Sequence, residues 1–317
     1  QTDKYQLSAQ GQVEAGTNRI VWTLRVGLSQ QEKFYVIRDI PLFLKVIEAN
    51  KPYMIGKSYE TSLRFEHFDK GSQEVLNFLL GLVEEKIDYT IFFPNQGRHL
   101  YFPKTFFEQG ASLLMGLEAF QFDHQLSSYH HLLFQDFDGQ ASLFSFRIEE
   151  KSNYFEMEIF EQTGLNFFYR GQVLFYKGNF FLMTKKQASL LDALRKVPLD
   201  HSGRKILQFD SSDRDLLAST LSQFKELGKV EAPDSLHIQS FRPTFYMERE
   251  EDGSIRLDMQ FQYETCLVTT RNELENLPFA SDIQLEKQIF QLALSAGFEA
   301  DFRSWRQSLK ADAVHTF

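Results

Sequence analysis

TFYMEREEDGSIRLDMQFQYE, residues 244–264, alternates Phe245 and Met247 with polar neighbours, turns at Asp252 and Gly253, and resumes at Ile255, Leu257, Met259 and Phe261. Alternation is the period of a strand with one buried face, and Asp-Gly suits a tight antiparallel turn because both residues tolerate positive φ. The same pattern recurs outward from this hairpin. LFSFRIEE and NYFEMEIFE flank Lys151 and Ser152, and NFFYRGQ precedes VLFYKGNFFLM with its turn at Lys177, Gly178 and Asn179. Residues 20–40 alternate on both sides of a polar break at 29–33, and YETSLRF (59–65) has strand period again.

Short amphipathic helices are predicted between these strands. PLFLKVIEAN (41–50) begins at Pro41 and stops at Asn50, and a second helix over 72–85 has Asp69 or Ser72 as its N-cap. TFFEQGASLLMGLEAF and QASLLDALRKV follow, then a helix entered through Ser212 with Asp215 three residues on, and one over 282–296 stopped by Gly297. The expected class is α+β, with antiparallel sheets built from hairpins and meanders. Two similarly built halves are expected, because FDKGSQEVLNFLLGLV (68–83) is echoed by FDSSDRDLLASTLSQF (209–224). The polar, turn-rich stretch 123–142 divides them, giving an α+β half over 1–125, a β-rich half with helices over 126–300, and a helical linker over 301–317.

Among 317 residues there are 33 Phe and 12 Tyr, which favours half-buried sheet surface over a helical bundle. The single cysteine, Cys266, excludes a disulfide within the chain and a multi-Cys zinc site, and a reducing, cytoplasmic setting is expected. No apolar run approaches the ~18 residues of a membrane span, so no membrane partner is expected. A formal charge of -9 opposes a broad nucleic-acid footprint and leaves room for a narrow basic patch. The first residue is Gln1, and the chain is expected to be a piece of a longer protein.

KPYMIGKS (51–58) ends like a phosphate-binding loop, but Lys51 stands where the first glycine belongs and Pro52 removes a backbone donor. A strand rather than a helix is expected after it, so Lys57 is rejected as a nucleotide ligand. His124, His130 and His131 with Asp123, Asp136 and Asp138 match no metal-ligand spacing. Glu149 with Glu150, and Glu250 with Glu251, are adjacent and point to opposite faces of a strand. No catalytic residue, metal or cofactor is expected in this chain.

Two stretches are candidates for contact with nucleic acid or a protein partner. In FRSWRQSLK (302–310), helical spacing puts Arg303, Arg306 and Lys310 on one face beside Trp305 and Leu309. The same spacing also fits a terminal helix pinned by Trp305 with solvated charges. GRHLYFPK (97–104) mixes Arg98, His99 and Lys104 with Tyr101, as single-strand binders do, and equally suits core aromatics beside a loop.

KFYVIRDIPLFLKVIEANKPYMIGKSYE, FDKGSQEVLNFLLGL, PNQGRHLYFP, PTFYMEREEDGSIRLDMQFQY and the closing FQLALSAGFEADFRSWRQSLKADAVHTF together resemble the helicase-associated domain of bacterial SWI/SNF-type DNA-dependent ATPases. In that family such a domain lies between a SWIM zinc finger and a two-lobed ATPase motor. The resemblance implies a non-catalytic accessory domain that regulates or positions the motor of the same polypeptide, with a DNA contact through a local basic patch. ATP and Mg would then belong to the motor and Zn to the finger. A stand-alone nucleic-acid-binding module is the alternative, and a nucleotide hydrolase using Lys57 comes after it.

Overall fold

The computed structural model describes residues 5–29, 31–57, 59–85, 88–300 and 307–309. Two compact units emerge, one of residues 1–136 with 164–189, the other of 137–163 with 190–317.

In the first unit, β1 (Tyr5–Glu14) and β2 (Arg19–Leu28) form a long antiparallel hairpin. With β3 (Phe34–Val36), β6 (Ala119–His124) and β7 (Ser127–Tyr129) they make a five-stranded sheet in the order β3-β2-β1-β6-β7, where β6 runs parallel to β1. Trp22 of β2 is fully buried, and a Cβ at Gly11 would lie 2.5 Å from its ring and 2.8 Å from that of Phe122. Glycine at that point of β1 lets the indole seat. A second sheet has the order β11-β12-β13-β8, from β8 (Leu133–Asp136), β11 (Asn166–Phe168), β12 (Val173–Tyr176) and β13 (Asn179–Leu182). Strands β4 (Pro52–Ile55) and β5 (Tyr59–Ser62) form a separate hairpin.

Helix α1 (Ile40–Glu48) is capped by Asp39, whose carboxylate accepts from Leu42 N at 3.0 Å. Asp69 caps α2 (Lys70–Glu84) by accepting from Ser72 N at 2.9 Å, while the Ser72 hydroxyl is buried and accepts from Leu7 N at 2.8 Å. Helix α3 (Lys104–Met115) completes the layer. Phe43, Phe68, Phe92, Phe102, Phe107, Phe122 and Phe175 are almost wholly buried. Each such ring contributes about 1.5–3 kcal/mol relative to exposure. Residues 164–189 return to this unit because Phe168, Val173, Phe175 and Phe180 share its core, with Phe180 edge-on to Phe107 at 5.1 Å. The chain leaves this unit at 136/137, within the polar stretch 123–142, and returns to it for residues 164–189.

Helix α4 (Lys185–Arg195) carries the chain into the second unit. There β9 (Phe144–Glu150), β10 (Tyr154–Glu161), β14 (Lys205–Asp210) and β15 (Lys229–Glu231) are ordered β14-β10-β9-β15. Alternation buries Phe144, Phe146, Ile148, Phe155 and Met157, and Phe146 meets Phe224 of α5 (Arg214–Lys225) at 5.2 Å. Helix α5 is not entered as the S-x-x-D spacing predicts. Asp210 accepts from Ser212 instead, and Asp215 accepts from Ser281 N at 2.9 Å.

β16 (Ile238–Gln239) pairs with β20 (Ala280–Ser281). The last sheet has the order β17-β18-β22-β21, from β17 (Arg242–Arg249), β18 (Ile255–Gln262), β21 (Glu299–Ala300) and β22 (Gln307–Leu309), and β19 (Leu267–Val268) also pairs with β18. Helix α6 (Arg271–Glu275) precedes α7 (Ile283–Ser295), which is capped by Asp282. The β17–β18 hairpin turns at Asp252 and Gly253 as expected, with the Asp252 carboxylate accepting from Ser254 N at 2.9 Å. Leu257, Met259 and Phe261 join Ile289 and Ala293 of α7 in a core, but Phe245 and Met247 do not. They are 42% and 69% exposed, because β17 is the outermost strand of its sheet.

Candidate functional site

Gly56 and Lys57 occupy the turn of the β4–β5 hairpin, with Gly56 at φ +70. A strand stands on each side, so no helix N-terminus is offered to a phosphate there. Arg303, Arg306 and Lys310 lie outside the described residues. Between them, Gln307–Leu309 pair with β18 as a strand, which replaces the helix expected over those three residues.

Among the described residues no group of His, Cys, Asp and Glu could hold a metal ion. Asp123 and His124 are engaged otherwise. Asp123 accepts from Ser128, Gln121 and Gln10, which together hold its carboxyl below the usual range despite some burial, and His124 stacks on Phe122. Among the described residues no helix is long and apolar enough to cross a membrane.

Arg98 and Lys104 are both exposed, and neither has an ion pair or side-chain hydrogen bond among the described residues. The stretch that leads into and through them is tightly built. Asn95, Gln96 and Gly97 are successive left-handed residues at φ 57, 59 and 80, and Asn95 donates to Glu14 at 2.6 Å. Leu100 then exchanges backbone hydrogen bonds with Trp22, both 2.8 Å, which fixes Tyr101 against the start of β2. Of the GRHLYFPK aromatics, Phe102 is core, while Tyr101 is partly exposed.

Tyr101 lines a cleft of about 350 Å³ with Thr17, Asn18 and Arg19 of the β1–β2 turn and Phe167 to Gly171 of the β11–β12 turn. The Arg19 guanidinium carbon lies 5.5 Å from the centre of the Tyr101 ring, and its Nε donates to Glu14 at 2.9 Å. Glu14 is held below the ordinary carboxylate range by the Asn95 and Thr17 hydrogen bonds and then by Arg19. Tyr169 stands 6.1 Å from Tyr101, ring to ring, and its hydroxyl donates to the Phe102 carbonyl. Burial pushes both phenols up, strongly at Tyr169 and against the opposing Arg19 charge at Tyr101, so both stay neutral.

The β11–β12 turn is unusual in its backbone. Tyr169, Arg170 and Gly171 have φ of 53, 55 and 85, and Asn18 across the cleft is also left-handed at 52, its amide donating to the Phe167 carbonyl at 2.9 Å. A left-handed residue with a bulky side chain costs roughly 1–2 kcal/mol. Here the anchored Tyr169 hydroxyl and the core around it hold the turn, and Arg170 is left exposed without a partner among the described residues.

Arg19, Tyr169 and Arg170 were missed by sequence pattern. NFFYRGQ scans as the end of a strand, and only Gly171 marked a turn. Of the candidate contact residues, the structure sets Arg98 and Lys104 on either side of cleft residue Tyr101 in the chain.

Comparison with protein-family models matches residues 98–315, which include parts of both units, to a family described as bacterial SNF2 helicase associated. No curated protein and no solved structure matches.

Proposed function

We propose, on the premise that this chain belongs to the bacterial SNF2 helicase-associated family, that it is a non-catalytic accessory domain which regulates or positions the ATPase motor of the same polypeptide and makes a narrow DNA contact. The family match over residues 98–315 is the observation that carries this reading. ATP and Mg belong to the motor in this reading, and Zn to the finger that accompanies it in the family.

Two surfaces support it. On the outermost strand β17, Phe245, Tyr246 and Met247 are 42%, 53% and 69% exposed, beside backbone groups that no further strand among the described residues pairs. Such an edge suits a protein partner, here the motor. Arg98 and Lys104, exposed and unpaired among the described residues and three positions to either side of Tyr101 in the chain, suit phosphates while the net charge of -9 opposes broad DNA binding by the rest of the surface.

The test is ATP hydrolysis by the full-length polypeptide with and without residues 1–317, in the presence and absence of DNA. Removal is expected to change the DNA-stimulated rate while leaving a measurable basal rate. An unchanged rate under both conditions overturns the reading. Calorimetric titration of this chain with ATP and Mg discriminates the hydrolase alternative. Stoichiometric binding abolished by Lys57→Ala would favour it, and the hairpin-turn position of Lys57 predicts no such binding. The β17 edge has its own check, because Met247→Glu in the full-length polypeptide should reduce the effect of this domain on the motor without altering its melting temperature.

A further inference from the structure

We propose that the cleft lined by Arg19, Tyr101, Tyr169 and Arg170 binds one nucleotide unit of single-stranded nucleic acid, with Arg170 on the phosphodiester and the Tyr101–Arg19 stack against the base. This rests on the DNA-contact part of the accessory-domain reading and gives that contact an address.

Four observations converge on it. First, the cleft is about 350 Å³ and concave, the scale of one nucleotide rather than of a duplex, whose bases are stacked out of reach. Second, its ionised side chains are both cations. The two tyrosines are neutral phenols, and Glu14, which is not among the lining residues, is already engaged by Asn95, Thr17 and Arg19. Arg19 uses only Nε in that contact, and among the described residues its two terminal nitrogens and the Arg170 side chain have no partner.

Third, Arg19 already lies on the Tyr101 ring, 5.5 Å from its centre. A guanidinium seated on an aromatic face presents its own plane for stacking, which is how sequence-tolerant single-strand binders hold a base. Fourth, Asn18, Tyr169 and Arg170, three left-handed residues other than glycine, line this one cleft. A turn built for stability alone would carry glycine at 170, where no hydrogen bond or ion pair among the described residues holds the arginine. Strain retained to display an unpaired cation points to a ligand for that cation.

The charge arithmetic sets the size of the effect. One contacted phosphate gives a salt slope of about -0.7, so affinity should fall about 3-fold between 50 and 200 mM salt. With the Arg170 contact removed the slope should fall toward zero.

The experiment is fluorescence anisotropy of the whole chain with a labelled short oligothymidylate at low salt. A hairpin duplex of equal charge and a polyglutamate peptide serve as the comparison probes. Arg170→Gly is the decisive variant. It should weaken binding by roughly 3- to 10-fold and flatten the salt slope, while relief of the left-handed backbone leaves the melting temperature unchanged or higher. Tyr101→Ala should weaken binding by about 5- to 100-fold, and Tyr101→Phe should restore most of it, because stacking needs the ring and not the hydroxyl.

Absence of binding at low salt overturns the proposal, as does binding that neither Arg170→Gly nor Tyr101→Ala changes. Equal affinity for the duplex or for polyglutamate also overturns it, since the site would then read charge alone. None of these outcomes touches the coupling of this domain to ATP hydrolysis. Conversely, a loss of coupling with the cleft behaving as expected would sink the accessory reading and leave the site standing.

Discussion

Gly81 in α2 and Gly110 in α3 are both interior helical glycines, and helix propensity alone makes alanine better at each by about 0.8–1 kcal/mol. Packing separates them. A Cβ at Gly81 meets nothing within 4 Å, whereas one at Gly110 lies 2.3, 2.4 and 2.5 Å from Cε1, Cδ1 and Cζ of Phe102. Carbon atoms in contact settle near 3.5–4.0 Å, so the ring has to retreat by roughly 1 Å. Phe102 is 1% exposed and stands edge-on to Phe78 at 6.1 Å, which leaves it no open direction. Overpacking of this kind costs about 1–3 kcal/mol, enough to cancel or exceed the propensity gain.

Gly81→Ala is therefore expected to stabilise by about 1 kcal/mol, and Gly110→Ala to fall below it by about 1–3 kcal/mol. Because substitution and propensity term are the same, the difference isolates the packing term. Urea unfolding followed by tryptophan fluorescence measures it, in a Trp305→Phe background so that buried Trp22 is the sole indole reporter. Equal stabilisation by both substitutions would refute the packing assigned to Phe102. Since the Phe102 carbonyl holds the Tyr169 hydroxyl, Gly110→Ala should also weaken oligothymidylate binding if the cleft is a site.

Three further outcomes are expected. Tyr169→Phe removes the hydroxyl that donates to the buried Phe102 carbonyl and should cost about 1–2 kcal/mol in the same assay, with a change under about 0.5 kcal/mol counting against that bond. Asp69→Ala, which deletes the α2 cap, should cost about 1 kcal/mol, and Asp69→Asn should recover most of it. Glu286 supplies a pH dependence. Burial raises its carboxyl above the ordinary range, the Ser281 hydroxyl bond opposes this, and Asp215 and Asp282 add to the rise. A carboxyl whose folded pKa is raised favours folding while protonated, and that contribution is lost as pH climbs from the unfolded value through the folded one. Glu286→Gln should therefore gain stability relative to the parent chain between pH 4 and pH 7, by a fraction of a kcal/mol because the group is partly solvated. A flat or reversed difference, read from thermal melts at the two pH values, contradicts the burial assigned to it.

What residue pattern made legible was local. Asp252-Gly253 turns where expected, Lys177-Gly178 likewise, and α1, α3, α5 and α7 follow their apolar periodicity, because turn geometry and helix amphipathicity are set by neighbours in the chain. The strand expected after KPYMIGKS is β5 of the β4–β5 hairpin. Strand β1 was not legible, since YQLSAQGQVE looks polar; its burial comes from being central in a sheet, between β2 and β6. Exposure of Phe245 and Met247 was hidden for the opposite reason, as alternation cannot tell an edge strand from a covered one. The cleft lay furthest from reach. Arg19, Tyr101 and Arg170 are far apart in sequence and meet only because the meander of residues 164–189 returns to the core of Trp22 and Phe107, and the left-handed φ of Tyr169 and Arg170 is held by that tertiary packing against their own local preference.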